Sequence, residues 1–356
     1  METTQMKALV LHGIGYLQME EVPIPELGPE DVLIRVVACG VCDGDLPRIF
    51  SQGVSKYPLV CGHEFAGLVA DCGDQVTDLE KDARVAAYPL LWCGKCPACE
   101  QGKYAQCFDS QYLGVDCHGA FAEYVKMPRR NIIRIPDSVP LEVAAMIDPA
   151  AIALHALHRA GGVRAGETVA VFGTGPIGLM AAQWAEISGA GNVILFDEDP
   201  KKCALARELG FRYSFNSADR DIFEIIKDLT HGLGMDIAID TEGTVTSMSG
   251  CINAVGIGGC AILLALPTAE IPATPATLTQ VIHREISIIG SWNSVFRTSG
   301  NRDDWQAVLR SINAGHLLLE PLISHRVTLA NACDTIHSMQ NKSMTAMKVI
   351  IQPILG

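Results

Sequence analysis

The sequence predicts an α/β protein: a β-rich region followed by a doubly wound parallel sheet. Three observations predict it. Short apolar runs cut by Gly-, Pro- and Asp-containing turns fill residues from about 7 to 155. Beyond residue 160, strand-like and helix-like runs alternate. A glycine-rich turn, Gly173-Thr174-Gly175-Pro176-Ile177-Gly178, joins the first such strand to the first such helix. Strand and helix in strict alternation bury their apolar faces as a parallel sheet with right-handed crossovers.

In chain order, Pro23, Pro25 and Pro29 rule out an early helix, and Val32 to Val37 reads as a strand. Thr168 to Phe172 is apolar throughout, as a strand buried on both faces is. The stretch from Ile177 to Ala190 reads as a helix, Asn192 to Phe196 as a strand, and Pro200 to Leu209 as a helix closed by Gly210. Asp236 to Asp240 and Cys260 to Leu264 continue the alternation. The pattern ends near residue 296. A helix near Trp305 to Ala314 and a strand from Lys348 to Gln352 read as a return to the first domain. The expected division is 1–155 with 296–356, and 156–295.

The 356 residues, 49% apolar and only 19% charged, suit two folded domains and argue against disorder. A net charge of −13 argues against nucleic acid as a partner. No apolar run reaches the ~18 residues of a membrane span. The start lacks the charged and apolar segments of a secretion signal, so no membrane association and a cytoplasmic location are expected. In that setting thirteen cysteines point to metal rather than disulfides.

Cys93, Cys96, Cys99 and Cys107 form C-x2-C-x2-C-x7-C, with Gly94, Pro97 and Gly102 supplying tight turns. Four thiolates so spaced converge on one tetrahedral zinc, in preference to an iron–sulfur cluster, and leave it no open position. A second set is scattered: Cys42, the pair His63-Glu64, and the more distant Asp148. One thiolate, one imidazole and a carboxylate or water make an open zinc site, able to polarise an alcohol oxygen. Asp45 is placed to accept the second N–H of His63. The other eight cysteines (39, 61, 72, 117, 203, 251, 260 and 333) read as small buried hydrophobes, and His155 and His158 as packing residues.

In the glycine-rich turn, Gly173 permits the tight bend, Gly175 admits a pyrophosphate, and Gly178 lets helix pack on strand. Pro176 and Ile177 open the helix whose N-terminus attracts the anion. Asp197 ends the next strand, where a ribose-binding carboxylate belongs. With Glu198 and Asp199 beside it, the charge favours NAD over NADP.

Together these pieces resemble the zinc-dependent medium-chain alcohol and polyol dehydrogenases over nearly the whole chain. Gly62, His63, Glu64, Gly67, Gly73 and Val76 meet that family's zinc signature, G-H-E-x2-G-x5-G-x2-V. The resemblance implies a GroES-like catalytic domain, to which the C-terminal tail returns, an inserted Rossmann domain, an active site in the cleft, and two zinc ions per subunit. It also implies a homodimer, possibly a tetramer, with the strand around Glu285 to Gly290 pairing across a two-fold axis. The segments Asp45–Phe50, Gly62–Gly67, His118–Tyr124, Ile289–Trp292 and Leu319–Arg326 are most similar to the galactitol-1-phosphate 5-dehydrogenase subgroup. That likeness implies hydride transfer to NAD from a secondary alcohol of a hexitol phosphate, giving L-tagatose 6-phosphate. A free polyol (sorbitol, ribitol or altritol) is the alternative substrate. A zinc-free enone reductase and a non-enzymatic dinucleotide-binding relative are the remoter alternatives.

Three residues depart from the family pattern. Gly44 stands where Ser or Thr begins a proton relay, so Asp43, water or a substrate hydroxyl carries the proton. Asp148 replaces a Glu of the polyol branch; it is one methylene shorter, which leaves direct ligation, a water bridge, or ligation by Glu64 open. Asp43 replaces a Gly and adds negative charge beside the metal. On the substrate side, Arg48 is a candidate for binding a phosphate or hydroxyl, and Trp292 and Asn293 are candidates for lining the cleft.

Overall fold

A computed structural model describes residues 4–298 and 303–354. The chain divides into two compact units, one of residues 1–148, 295–315 and 319–356, the other of residues 149–294 and 316–318. The first division falls after Asp148, seven residues before the expected boundary at 155. No loop marks it, because one continuous helix, Ile147–Arg159, runs through it.

The first unit is built mainly on antiparallel pairing, with Ile323–Thr328 and Lys348–Gln352 parallel. Its largest sheet runs Ile132–Arg134, Arg84–Ala87, Glu64–Cys72, Asp31–Gly40, Lys348–Gln352, Ile323–Thr328, and Tyr124–Pro128 also pairs with Asp31–Gly40. The strand expected from Val32 to Val37 is thus longer, and its far end meets the C-terminal strand, with Ile350 opposite Gly40 and Ile351 opposite Cys39. Alternate side chains of these strands, including Ile34, Val36, Phe65, Val69, Val349 and Ile351, are buried in one core. The pairing brings the residues after Gly40, the start of Glu64–Cys72 and the start of Lys348–Gln352 to one place.

Among the described residues the second unit holds a six-stranded parallel sheet. Its order is Tyr213–Asn216, Asn192–Asp197, Thr168–Phe172, Met235–Asp240, Val255–Leu263, Ser287–Gly290. The order reverses direction between Thr168–Phe172 and Met235–Asp240, the switch point outside which ligands bind in doubly wound sheets. Ala170, Phe172, Ile194, Phe196 and Ala238 fill its core.

The segment after residue 294 is locked into the first unit by aromatic packing. Tyr88 stacks on Phe296 at 4.8 Å, and the Trp305 ring meets both edge-on at 5.7 and 5.8 Å. Trp305 opens the helix Asp304–Asn313, whose N-terminus is capped by Asp303 accepting from the Gln306 N–H at 2.7 Å. The ring is 1% exposed. Trp305→Ala is expected to destabilise the first unit by about 3–5 kcal/mol, measured by urea denaturation.

Candidate active site

Cys42 follows the strand Asp31–Gly40, and His63 immediately precedes the strand Glu64–Cys72. Antiparallel pairing of Gly40 with Glu64 sets the two ends side by side. One ligand atom each from Cys42, His63 and Glu64 lies within 4.8 Å of the other two. Gly40 makes room, since a Cβ there would stand 2.5 Å from Glu64 Oε2. His63 and Glu64 are buried.

The electrostatics fit a divalent cation. Burial, with the Glu64 and Asp45 carboxylates, pushes the Cys42 thiol well above its ordinary range. Burial pushes His63 down to about 4, so its imidazole is neutral, the form that ligates metal. The Gly44 N–H donates to Cys42 Sγ at 3.4 Å, as it would to a thiolate. Asp148, on the first turn of Ile147–Arg159, is 3% exposed, and its Oδ1 has no hydrogen-bond partner among the described residues. Burial, then the Glu64 charge, pushes its carboxyl up to about 8. Asp148 stands outside the close group of Cys42, His63 and Glu64. A partly buried thiol, a neutral imidazole and two buried carboxylates, one with an orphaned oxygen, are residues that zinc would satisfy.

Asp45 is 1% exposed and lies beside His63, but its Oδ1 is 3.6 Å from His63 Nδ1, too long for the expected hydrogen bond. Its oxygens are taken by the Cys42 N–H at 3.0 Å and by Arg48 Nη1 at 3.3 Å. Arg48 thus pairs with Asp45, and its guanidinium lies 3.5–3.6 Å from where a Cβ on Gly44 would stand. Asp43 is exposed.

Two residues of this neighbourhood escaped the sequence reading. Lys348 Nζ donates to Glu64 Oε2 at 2.7 Å and to the Val41 carbonyl at 3.2 Å, and both charged side chains are buried. Its only sequence signal is a lysine heading an apolar strand. The Tyr112 hydroxyl donates to Asp148 Oδ2 at 3.4 Å, and the ring meets the edge of His63 at 5.3 Å.

The four-cysteine group is equally compact. Its sulfur separations include 3.5 Å for Cys96–Cys99, 3.9 Å for Cys96–Cys107 and 4.0 Å for Cys93–Cys99. A zinc–sulfur bond near 2.3 Å in tetrahedral geometry places sulfurs about 3.8 Å apart. The backbone N–H of Phe108, with those of Cys99 and Ala98, holds the Cys96 thiol down to about 6, favouring thiolate. Beside the lobe, Trp92 stacks on Tyr104 at 4.3 Å, and the Arg130 guanidinium covers the Trp92 ring at 4.6 Å.

In the second unit Gly175 precedes the helix Pro176–Ile187, and no side chain caps its first turn. Its N-terminal N–H groups are those that a pyrophosphate would use. Gly178 packs helix on turn, since a Cβ there would lie 1.9 Å from the Gly173 carbonyl. Asp197 is buried at the end of Asn192–Asp197. Its Oδ2 accepts from the Thr174 N–H at 2.7 Å and the Thr174 hydroxyl at 2.9 Å, and its Oδ1 from the Asp199 N–H at 2.8 Å. Of about four acceptor positions, one is left for a ribose hydroxyl. Trp292 is half exposed, whereas Asn293 is buried at φ +57° and accepts from the Ser294 N–H at 2.8 Å. Both belong to the second unit.

Lys348→Met leaves the Glu64 carboxylate buried without its counter-charge, at a cost of about 3–5 kcal/mol. Urea denaturation of chelator-treated protein measures it, and adding Glu64→Gln to Lys348→Met should recover most of the loss.

Comparison with known proteins agrees with these features. The model of the alcohol dehydrogenase GroES-like domain matches residues 28–137, and that of zinc-binding dehydrogenases matches 176–314. Galactitol 1-phosphate 5-dehydrogenase of Escherichia coli is 32% identical over 98% of this chain and 100% of its own. The crystal structure of galactitol-1-phosphate dehydrogenase from that organism superposes with a TM-score of 0.92, covering 98% and 100% of the two chains at 32% identity. Sorbitol dehydrogenase of Bacillus subtilis is 31% identical over 98% of this chain and 97% of its own. A zinc-binding dehydrogenase from Sinorhizobium meliloti, bound to NADP, superposes with a TM-score of 0.89 at 29% identity over 99% and 100% of the two chains. With full-length relatives, both family models and the parallel sheet in place, the chain belongs to the zinc-dependent medium-chain alcohol dehydrogenase family, oxidoreductases that join a GroES-like to a Rossmann-type domain.

Proposed function

We propose that the protein is a zinc- and NAD-dependent polyol phosphate dehydrogenase, with galactitol 1-phosphate oxidised to L-tagatose 6-phosphate as the favoured reaction. The observation that carries the chemistry is the close group of Cys42, His63 and Glu64 in a chain that also holds the glycine-rich turn. The substrate reading is supported by the full-length similarity to galactitol 1-phosphate 5-dehydrogenase and by the Arg48 guanidinium, which pairs with Asp45 in the turn that follows Cys42.

When bound, zinc supplies Lewis acidity to an alcohol oxygen and NAD supplies a hydride acceptor. Cys42, His63 and a carboxylate, from Glu64 or Asp148, hold the metal. Lys348 balances the charge of Glu64, and Asp45 steadies the neighbourhood of His63 through the Cys42 backbone and Arg48. Arg48, partly exposed and already paired on one side with Asp45, offers its remaining N–H groups to a phosphate. Gly44 has no hydroxyl to relay a proton. We assign that role to the exposed Asp43 carboxylate, which can pass the proton to solvent. Cys93, Cys96, Cys99 and Cys107 hold a second, closed zinc with a structural role. In the other unit, Gly173 to Gly178 hold the pyrophosphate, Asp197 binds ribose, and Trp292 and Asn293 contribute to the substrate side. The strand Ser287–Gly290 has one unpaired edge among the described residues and a partly exposed Ile288, which supports its pairing across a homodimer.

A free polyol is the second reading, supported by the nearly equal identity to sorbitol dehydrogenase. NAD reduction with phosphorylated and free hexitols, with zinc counted per subunit, separates the two. Cys42→Ser and His63→Ala are each expected to lower kcat at least about a hundredfold and to remove one of two zinc ions. Near wild-type turnover in both would overturn the mechanism. Arg48→Ala is expected to raise KM for the phosphorylated substrate about tenfold or more, against little change for a free hexitol.

A further inference from the structure

A cavity of the second unit lies at the carboxyl ends of Thr168–Phe172 and Asn192–Asp197. Phe172, Phe196, Ser217 and Thr246 line it, with two carboxylic acids, Glu198 and Glu242. Phe172 and Phe196 stack at 5.2 Å and form an apolar wall. Glu242 reaches the glycine-rich turn, since its Cγ lies 2.6 Å and its Cδ 3.2 Å from where a Cβ on Gly173 would stand. A turn meant for a dinucleotide is therefore overlaid by an acidic side chain 45 residues beyond Asp197.

The two acids differ from Asp197 in what they have left to offer. Asp197 is buried and already accepts three hydrogen bonds, two of them from Thr174. Glu198 and Glu242 face the cavity itself. The charges of Asp197, Asp240 and Glu198 all reach Glu242, and after burial they push its carboxyl up to about 7, with Lys202 opposing. A wall on which carboxylates already repel one another is a poor place for a further dianion, because like charges a few ångströms apart in a partly desolvated pocket interact strongly.

We infer that Glu242 is a specificity determinant of this site: with Glu198 it makes the adenosine end of the dinucleotide pocket reject a 2′-phosphate. The inference rests on the dinucleotide reading given above and adds to it a residue from the strand end after Asp240, outside the glycine-rich turn and its ribose acid. Neutralising Glu242 while keeping its shape should weaken the rejection, whereas shortening it with the charge retained should not.

The test is direct binding, independent of turnover. NADH and NADPH are titrated by fluorescence into the purified protein, its Glu242→Gln variant and its Glu242→Asp variant, at pH about 8.5, where the carboxylate and the 2′-phosphate are both ionised. The ratio of Kd for NADPH to Kd for NADH is expected to fall at least about fivefold in Glu242→Gln and to stay near the wild-type value in Glu242→Asp. For the unmodified protein, raising salt from about 0.05 M to about 0.5 M should narrow the ratio by screening the repulsion. A wild-type preference for NADH that Glu242→Gln changes by less than about twofold overturns this inference and leaves the NAD reading standing. A wild-type ratio insensitive to salt overturns it without any variant having to fold. A wild-type preference for NADPH removes the NAD reading itself.

Discussion

The buried ion pair between Glu64 and Lys348 is the constraint on which the candidate metal centre depends. At 2.7 Å and almost without solvent, neither charge is tolerable alone. The pair joins the residue after His63 to the start of a strand nearly 300 positions later. Backbone pairing reinforces the junction, with Ile350 and Ile351 opposite Gly40 and Cys39. The surroundings of the Cys42–His63–Glu64 group are therefore drawn from segments far apart in the chain. The Tyr88, Phe296 and Trp305 cluster serves the same closure from another segment.

The close residue groups were legible where they use residue types with few other roles. Four cysteines at short spacings, a histidine followed by an acid, and a glycine-rich turn between strand and helix each restrict their surroundings tightly enough to be recognised as strings. The parallel sheet was legible for a similar reason: strands buried on both faces are apolar throughout, and the runs at Thr168–Phe172 and Asn192–Asp197 stand out. Lys348 and Tyr112 were not legible, because their meaning is tertiary. A lysine heading a strand is ordinary until the strand is laid against the end of Asp31–Gly40. A tyrosine in a two-residue strand is ordinary until its hydroxyl meets Asp148. The division after Asp148 carries no signal in the sequence, because a helix, which has no internal punctuation, carries the chain across it.

Asp45 and Arg48 show how local geometry redirects a residue's expected part. Three residues apart at the turn after Cys42, they pair with each other, so Asp45 meets His63 at an electrostatic distance and not through a hydrogen bond. Asp197 behaves alike in the other unit, where Thr174 and Asp199 take most of its acceptor capacity. In both places the carboxylate organises its own turn, which uses most of its acceptor capacity.

The bare position at Gly44 has a consequence of its own. A methyl group placed there would touch the Arg48 guanidinium at an ordinary van der Waals distance of 3.5–3.6 Å, without collision. The first carbon of a side chain therefore fits in that turn. Gly44 also sits at φ −68°, a backbone conformation that any residue adopts, so the bend itself does not require glycine.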